Sequence, residues 1–409
     1  MANPENAPLA AAQPINPIDP AFIADPYPAL NALRESTGVA QDAFGMQWYV
    51  TRHDDVHRVL NDRALSNDSR NAAAGTADAL FREGSDAAAQ PSILFLDPPD
   101  HTRLRTLVNK AFTPRAIEAL RPRAEENAVA LLDAVGARDA FDLMEAFAQP
   151  FPTIVIAEMI GVDPAEQAHF KEWSDASVRT LDPMLSPEER EKADEANGLL
   201  GDYFRRCIDE RRTAPRDDLV TRLLAAHEEG DRMSEGEMVT MLILLLVAGN
   251  VTTTDLIGNG VLALLTNRDE LKKLQEQPSL IPAAVEEILR FDPPVVQNGR
   301  IPLQDIEVGG TVIPAYQSIG PSLAAANHDP RVYPEPDRFD VTRSDTHHHS
   351  FGGGVHYCLG APLARMEAQV ALAELLRRYP ELRLDESQPP LHRTMPGFRG
   401  LQTLHVRVD

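Results

Sequence analysis

Apolar residues recur every three to four positions along most of the chain, the spacing that places them on one face of an α-helix. Helices are predicted on this pattern for residues 27–34, 115–135, 164–181, 188–212 and 217–229. Short segments with alternating or β-branched residues predict strands at residues 47–51, 299–303, 306–308 and 404–408. The pattern therefore predicts a mainly α-helical fold with small β-sheet regions at its periphery.

The most apolar helix is predicted to begin after Ser234. Ser234 and Glu237 have the spacing of a capping box, which satisfies backbone N–H groups of a first helical turn. The apolar pattern continues to about Leu265, a length of roughly 48 Å at 1.5 Å per residue. Because this segment is apolar nearly all round, we expect it to be central and buried. The longest apolar run, residues 238–249, is shorter than the roughly 18–20 residues of a membrane span.

The chain has 409 residues and no low-complexity segment in its interior. Residues 1–18 are rich in Ala, Pro and Asn, so we expect a disordered tail followed by a single domain at residues 19–409. The chain does not open with a basic segment followed by an apolar one, and its two cysteines are far apart. We therefore expect a location in the reducing cytoplasm. We also expect a monomer. The net charge of −23 argues against nucleic acid or an anionic membrane as a partner.

Cys358 is the first candidate for chemistry. It follows three consecutive glycines, residues 352–354, and directly precedes a predicted helix with Pro362 in its first turn. A cysteine at a helix N-terminus faces free N–H groups and the positive end of the helix dipole, which favour the thiolate. No second cysteine is close in sequence, so a disulfide or a tetrahedral zinc site is not indicated. A single thiolate on a glycine-rich loop suits an axial ligand of haem iron.

The spacing F-x-x-G-x-H-x-C-x-G over residues 351–360 resembles the haem-binding signature of the cytochrome P-450 superfamily, the haem-thiolate monooxygenases. The resemblance implies the fold of that family, with haem b (iron protoporphyrin IX) bound through Cys358. It also implies insertion of one oxygen atom from O2 into an organic substrate, with electrons from NAD(P)H. The implied haem contacts of this loop are Phe351, Gly352, His356, Cys358 and Gly360.

Further cationic residues match positions that bind the haem propionates in that family. His101 and Arg105 lie one helical turn apart after Asp97-Pro-Pro-Asp, and Arg300 follows Gln-Asn-Gly. Together with His356, they are implied by the resemblance to be propionate partners, because buried carboxylates need cationic or hydrogen-bonding groups.

The predicted central helix reads Ala-Gly-Asn-Val-Thr over residues 248–252, where the family usually has Ala-Gly-x-acid-Thr. The resemblance implies that Ala248 and Gly249 leave room for dioxygen and that Thr252 holds it. Val251 replaces the acid, so another group must help to deliver protons. Asp255, three residues on and roughly on the same face, and Asn250 are candidates. The alternative for the threonines is back-bonding to the helix.

Glu287 and Arg290 are spaced for an ion pair on one helix face, and Arg338 follows in Pro-Asp-Arg-Phe. By resemblance to the family's Glu-x-x-Arg and Pro-x-Arg-Phe motifs, these three residues form a structural triad that fixes the segment leading to the cysteine. The run His347-His348-His349 is not expected to bind a metal, because neighbouring residues of an extended segment point to opposite sides and no other ligand is near.

Family analogy also indicates the substrate pocket and the electron donor. The candidate pocket residues are mostly apolar, which predicts a small or medium apolar substrate: Val247, Ala248, Val251, Val295, Val296, Met395 and Phe398. Residues 101–123 carry six basic residues and one acidic residue in an acidic chain. The resemblance places this segment on the thiolate side of haem, which predicts docking of an acidic ferredoxin or a flavodoxin-like donor. The alternative is a solvated helix face.

Val251 leaves other functions open. One is a haem-thiolate enzyme of non-standard type: peroxide-driven, catalysing coupling or rearrangement, or reducing nitric oxide. Another is a haem-based sensor or carrier without turnover. Product formation with peroxide but not with dioxygen would favour the former, whereas reversible gas binding without any ligand-induced shift of the haem spectrum would favour the latter.

Overall fold

The computed structural model describes residues 13–83, 90–182, 185–226 and 230–408. Its α-helices are α1 Pro20–Ala24, α2 Tyr27–Glu35, α3 His53–Asn61, α4 Ala77–Glu83, α5 Asp100–Ala111, α6 Pro114–Glu118, α7 Arg121–Val135, α8 Pro150–Ile160, α9 Gln167–Val178, α10 Pro187–Thr213, α11 Leu219–Ala225, α12 Glu235–Thr266, α13 Arg268–Glu276, α14 Ile281–Phe291, α15 Leu323–Asn327 and α16 Ala361–Arg378. A π-helical turn, Met144–Ala148, precedes α8.

The strands are short and form small sheets, which confirms the predicted mainly α-helical class. They are β1 Val39–Gln41, β2 Trp48–Val50, β3 Leu65–Ser66, β4 Ala140–Asp142, β5 Ile301–Pro302, β6 Ile306–Val308, β7 Thr311–Ile313, β8 Ile319–Pro321, β9 Arg383–Leu384, β10 Leu391–His392, β11 Leu401–Thr403 and β12 His405–Arg407. β2 pairs antiparallel with β1 and parallel with β8, while β12 lies between β4 and β9. β10 and β11 form an antiparallel pair.

The helix α12 is the centre of the packing. It begins with the predicted capping box, since the Ser234 hydroxyl accepts from the Glu237 N–H and the Glu237 carboxylate accepts from the Ser234 N–H. It packs against α8, α10, α14 and α16. By length and composition α12 would be able to cross a membrane, but 72% of its most apolar window is buried inside the protein. It is therefore the core helix of this fold.

Several predicted boundaries change. The helix predicted for residues 115–135 is divided between α6 and α7, with a break before Arg121. The predicted disordered tail is wrong for its last part: Ile15 is 3% exposed and its carbonyl accepts from the Ala43 N–H at 2.8 Å. An apolar side chain and a backbone hydrogen bond fix this segment against the strand region. Residues 1–12 of that prediction lie outside the described residues.

Candidate active site

The loop that carries Cys358 is held by its own backbone and by the end of α3. The Cys358 N–H donates to the Phe351 carbonyl at 3.0 Å. Gly354 has φ +65°, and a Cβ there would lie 2.7 Å from the Leu60 carbonyl oxygen. Gly352 has φ +70°. The glycines are therefore required by left-handed backbone and by close approach to α3, which adds a reason for them beyond the predicted contact with haem.

The Cys358 residue is exposed at its position before α16. Protein atoms still surround its sulfur, and desolvation raises the pKa of the thiol. The N–H groups of Gly360 and Ala361 and the charge of Arg105 act in the opposite direction and favour the thiolate. The first turn of α16 thus directs its free N–H groups at the sulfur, as a metal-binding thiolate requires.

A charged network behind this loop was not found by sequence reasoning. Glu286 accepts from Arg365 at 2.7 and 2.8 Å and contacts the His348 ring at 3.2 Å. The Arg365 guanidinium lies 4.4 Å from the centre of the Phe351 ring. Desolvation would raise the pKa of Glu286, but hydrogen bonds from His348 and Arg365 lower it to about 2. Glu286 and Glu287 are consecutive, so the sequence does not indicate which of the two acids contacts Arg365.

The four predicted propionate partners form one cationic cluster. The His101 and His356 rings are 4.1 Å apart, and His101 Nδ1 is buried without a hydrogen-bond partner. Arg300 is 3% exposed, and its described hydrogen bonds go to backbone carbonyls of Gly299, Leu60 and Gly353.

Burial dominates the electrostatics of this cluster. Desolvation lowers the pKa of Arg300 to about 10. Desolvation, reinforced by His101, Arg300 and Arg105, lowers the pKa of His356 to about 3. Desolvation also lowers the pKa of Arg105. Asp78 and Asp97 act on Arg300 from a distance, but none of its described hydrogen bonds goes to a carboxylate. Two carboxylates of a bound haem therefore fit this set.

The middle of α12 has a partly exposed face, called the open face below. Ala248, Gly249 and Thr252 are partly exposed although the residues around them in the helix are buried. A Cβ placed on Gly249 would meet nothing within 4 Å. The Thr252 hydroxyl donates to the Ala248 carbonyl at 2.8 Å, which is the back-bonded arrangement of a mid-helix threonine. This partly open face, together with the exposed Cys358 and the cationic cluster, has the donor groups that a haem needs.

The two polar candidates for proton delivery are engaged elsewhere. The Asn250 amide donates to the Ser174 hydroxyl at 3.1 Å and so links α12 to α9. Asp255 is fully buried and forms an ion pair with Arg393, which leads into the segment between β10 and β11. Each of these side chains therefore has a tertiary partner of its own, and a role of Asn250 or Asp255 in proton delivery beside Thr252 stays a prediction.

Another acid lies next to this part of α12. Glu367 of α16 is 2% exposed, and its Oε1 has no hydrogen-bond partner. Burial raises the pKa of Glu367 well above its usual range, and the Thr253 hydroxyl partly offsets the rise. Glu367 lies nine residues after Cys358 and 114 residues after Thr253, so no local spacing connects it with the central helix.

The predicted pocket residues divide into adjoining groups. Val247, Val251 and Met395 form a buried apolar cluster with Val178, and Phe398 packs against it. Val178, at the end of α9, was not predicted. The other predicted residues lie alongside: the backbones of Val295 and Phe398 form a β-bridge, and the Val296 N–H donates to the Gly397 carbonyl. The apolar cluster contains Val251 itself, so the residue in place of the usual acid is part of the wall.

The predicted structural triad is right for two of its three members. Arg290 donates to Glu287 at 2.7 and 2.9 Å, and both side chains are fully buried. The third cation is Arg343, whose Nε lies 3.2 Å from the Glu287 carboxylate. The side chain of Arg338 is 55% exposed and pairs with Glu335, so its prediction is wrong.

Within the residues that the structure describes, no group of three or more His, Cys, Asp or Glu side chains is arranged to hold a metal ion. His347 contacts Asp345, His348 contacts Glu286, and the His349 ring lies 4.7 Å from that of His53. The three consecutive histidines therefore point to separate partners, as alternation along an extended segment predicts.

A helical fold with a thiol at a helix N-terminus, a cluster of two histidines and two arginines and an open face on a central helix defines a haem-thiolate protein. The chain belongs to the cytochrome P450 family: the family model described as Cytochrome P450 matches residues 46–403. It is a cytochrome P450 monooxygenase, and its cofactor is haem b.

Its relatives are bacterial proteins. Cytochrome P450 107B1 of Saccharopolyspora erythraea is 44% identical over 88% of this chain and 89% of its own length. The vitamin D(3) 25-hydroxylase of Pseudonocardia autotrophica is 42% identical over 95% of this chain and 94% of its own. The structure of the polyketide synthase cytochrome P450 PksS of Bacillus subtilis covers 97% of this chain and 100% of its own, with a TM-score of 0.88 and 37% identity.

Proposed function

We propose that this protein hydroxylates an apolar organic substrate with one oxygen atom of O2, using electrons from NAD(P)H that an acidic ferredoxin or flavodoxin-like protein delivers. The observation that carries the proposal is the buried apolar cluster of Val178, Val247, Val251 and Met395, next to the open face of α12. Two relatives are named as hydroxylases, the vitamin D(3) 25-hydroxylase and the 6-deoxyerythronolide B hydroxylase. A cytoplasmic location stays a prediction.

In this proposal Cys358 would bind the haem iron, Arg105 and Arg300 would neutralise the propionates, and His101 and His356 would donate hydrogen bonds to them. When bound, haem supplies the activation of dioxygen that no side chain performs. The side chains supply binding, orientation and protons. The apolar cluster excludes water from the reacting carbon. Rotation of the Thr252 hydroxyl away from the Ala248 carbonyl would let it donate on the open face of α12.

We assign proton supply to Glu367 rather than to Asn250 or Asp255. Burial raises the pKa of Glu367, so this carboxyl keeps its proton more readily than an exposed one. Its free Oε1 and its contact with Thr253 connect it to the central helix beside Val251. Water between Glu367 and the open face of α12 would complete the transfer, since an aliphatic side chain at position 251 transfers no proton.

The docking surface for the donor is proposed to include α5 and α6. The positive charge of this surface is smaller than the sequence predicts, because two of its arginines have acidic partners. Arg103 pairs with Glu237, and Arg123 pairs with Glu126 and Glu158. Arg115 is exposed, and the ion pairs found among the described residues do not include it. It is therefore the cation best placed for an acidic partner.

Spectroscopy and turnover test the proposal. Purified, haem-loaded protein should give the thiolate-type absorption of a reduced carbon-monoxide complex, and apolar compounds should shift its Soret band. Compounds that shift the band should be hydroxylated with a ferredoxin system and dioxygen. Product formation with peroxide alone would instead support the peroxide-driven alternative. The absence of the thiolate spectrum in folded, haem-loaded protein would refute the proposal.

A further inference from the structure

The segment between β10 and β11 forms a wall with two apolar sides. On its inner side Met395 is buried with Val178, Val247 and Val251, and Phe398 packs against them. On its outer side the same two residues line a second cavity. Phe22, Ile23 and Leu30 of the N-terminal part of the chain also line this cavity, as does Val296 of the segment after α14. The position of this wall therefore decides how much space the inner pocket has.

Backbone hydrogen bonds anchor the wall to the segment after α14. The Val296 N–H donates to the Gly397 carbonyl at 3.0 Å, and the Arg399 N–H donates to the Pro294 carbonyl at 2.8 Å. Two polar links reach the central helix: the Asn259 amide donates to the Arg399 carbonyl at 3.0 Å, and Arg393 pairs with Asp255. The second link joins charged side chains, one of them fully buried.

The Asp255–Arg393 pair is close but incompletely satisfied. Asp255 Oδ1 and Arg393 Nε are buried without hydrogen-bond partners. Gly400 packs so tightly against the Asp255 carboxylate that a Cβ at this position would overlap it. Burial raises the pKa of Asp255 to about 7, Arg393 lowers it, and Asp292 at the end of α14 raises it further. Among the described residues, the charged groups that act on Asp255 are thus Arg393, after β10, and Asp292, at the end of α14.

We propose that Asp255 is a positioning residue, which through Arg393 sets how far the segment of residues 393–400 reaches into the pocket and so which ligands fit under Met395 and Phe398. The inference rests on the proposed function only in that the pocket must adjoin a bound haem. It differs from the earlier expectation for Asp255, since a proton relay would change coupling to product and leave ligand size selectivity unchanged.

The test compares two ligands that bind haem iron through the same nitrogen but differ in size, pyridine and 4-phenylpyridine. Their dissociation constants are measured from the Soret shift in wild type and in Asp255→Asn, which keeps the shape but removes the charge. We expect the ratio of the two constants to change by about tenfold, the size of effect that a small change of pocket space has on affinity. The reduced carbon-monoxide spectrum should remain of the thiolate type.

Asp218→Asn is the matched control. Asp218 forms a buried ion pair with Arg211 at 2.6 Å, between α10 and the start of α11. Asparagine also keeps the N-cap that Asp218 provides there. Loss of a buried charge pair at this place should leave the affinity ratio unchanged. An equal change of the ratio in Asp218→Asn and Asp255→Asn would mean that general loosening is the cause, and would overturn the proposal.

Two further measurements keep the test decisive if Asp255→Asn does not fold. Arg393→Lys keeps the charge but changes the geometry, and should alter the ratio in the same direction. In wild type the ratio should change between about pH 6 and pH 8, as Asp255 loses its proton. A ratio that is constant in Arg393→Lys and over this pH range refutes the positioning role. A missing thiolate spectrum in wild type refutes the proposed function instead.

Discussion

Arg338 and Arg343 lie in one short segment, but the structure predicts very different effects on stability when each is replaced. Replacing each arginine by methionine therefore tests the structural triad. The resemblance to the family's motifs implied Arg338 as the partner of Glu287, whereas the structure has Arg343 there. We expect Arg343→Met to destabilise the protein strongly and Arg338→Met to have little effect. Methionine is chosen for both because it keeps an unbranched apolar stem of similar length.

The magnitude follows from burial and from the hydrogen bonds that are lost. The Arg343 side chain is 11% exposed, and it also donates to the carbonyls of Pro334, Glu335 and Arg338 at 2.9–3.2 Å. Removing one member of a buried ion pair costs about 3–5 kcal/mol. Because Arg290 still pairs with Glu287, the lower end, about 3 kcal/mol, applies to Arg343→Met. Arg338 pairs in solvent, where an ion pair contributes about 1 kcal/mol or less.

The assay is urea unfolding of the haem-loaded variants, followed by far-UV circular dichroism at constant protein concentration. A difference of about 2 kcal/mol between the variants corresponds to a factor of roughly 30 in the folding equilibrium. The reduced carbon-monoxide spectrum reports in parallel on the cysteine loop, which the triad segment precedes. A loss of stability in Arg338→Met as large as in Arg343→Met would refute the assignment.

Three further predictions concern protons and the donor. Glu367→Gln should lower the product formed per NAD(P)H consumed and leave ligand-induced Soret shifts unchanged, whereas unchanged coupling would exclude Glu367 as the proton source. Arg115→Glu should slow reduction by an acidic ferredoxin, most strongly at low ionic strength, while an equal effect of Arg123→Glu would argue against a specific role of Arg115. Glu286 has a pKa lowered to about 2, so its stabilisation is full above its ordinary value near 4.5 and is lost as the pH falls through about 2. Acid titration of the thiolate spectrum should show this loss, and Glu286→Gln should remove that part of the pH dependence.

Much of the fold was predictable because its signals are local. The period of apolar residues located α2, α10 and α12, and the capping box at Ser234 marked where α12 begins. The division between α6 and α7 was not predicted, since the apolar period continues across the break. The burial of Ile15 was also missed, because a single large apolar residue among Ala, Pro and Asn gives no periodic signal.

The site shows the same division. The sequence by itself determined the cysteine at the start of a helix, since this depends on spacing within one segment. The four propionate partners, which come from three separate segments, and the role of the Ala-Gly pair were implied by the resemblance to the family. Only the tertiary structure decided that Glu287 pairs with Arg343, that Asp255 pairs with Arg393 and that Glu367 lies beside Thr253. The physical reason is that a buried charge takes whichever partner the packing brings within hydrogen-bond distance, and partners 56, 138 and 114 residues apart have no common local pattern.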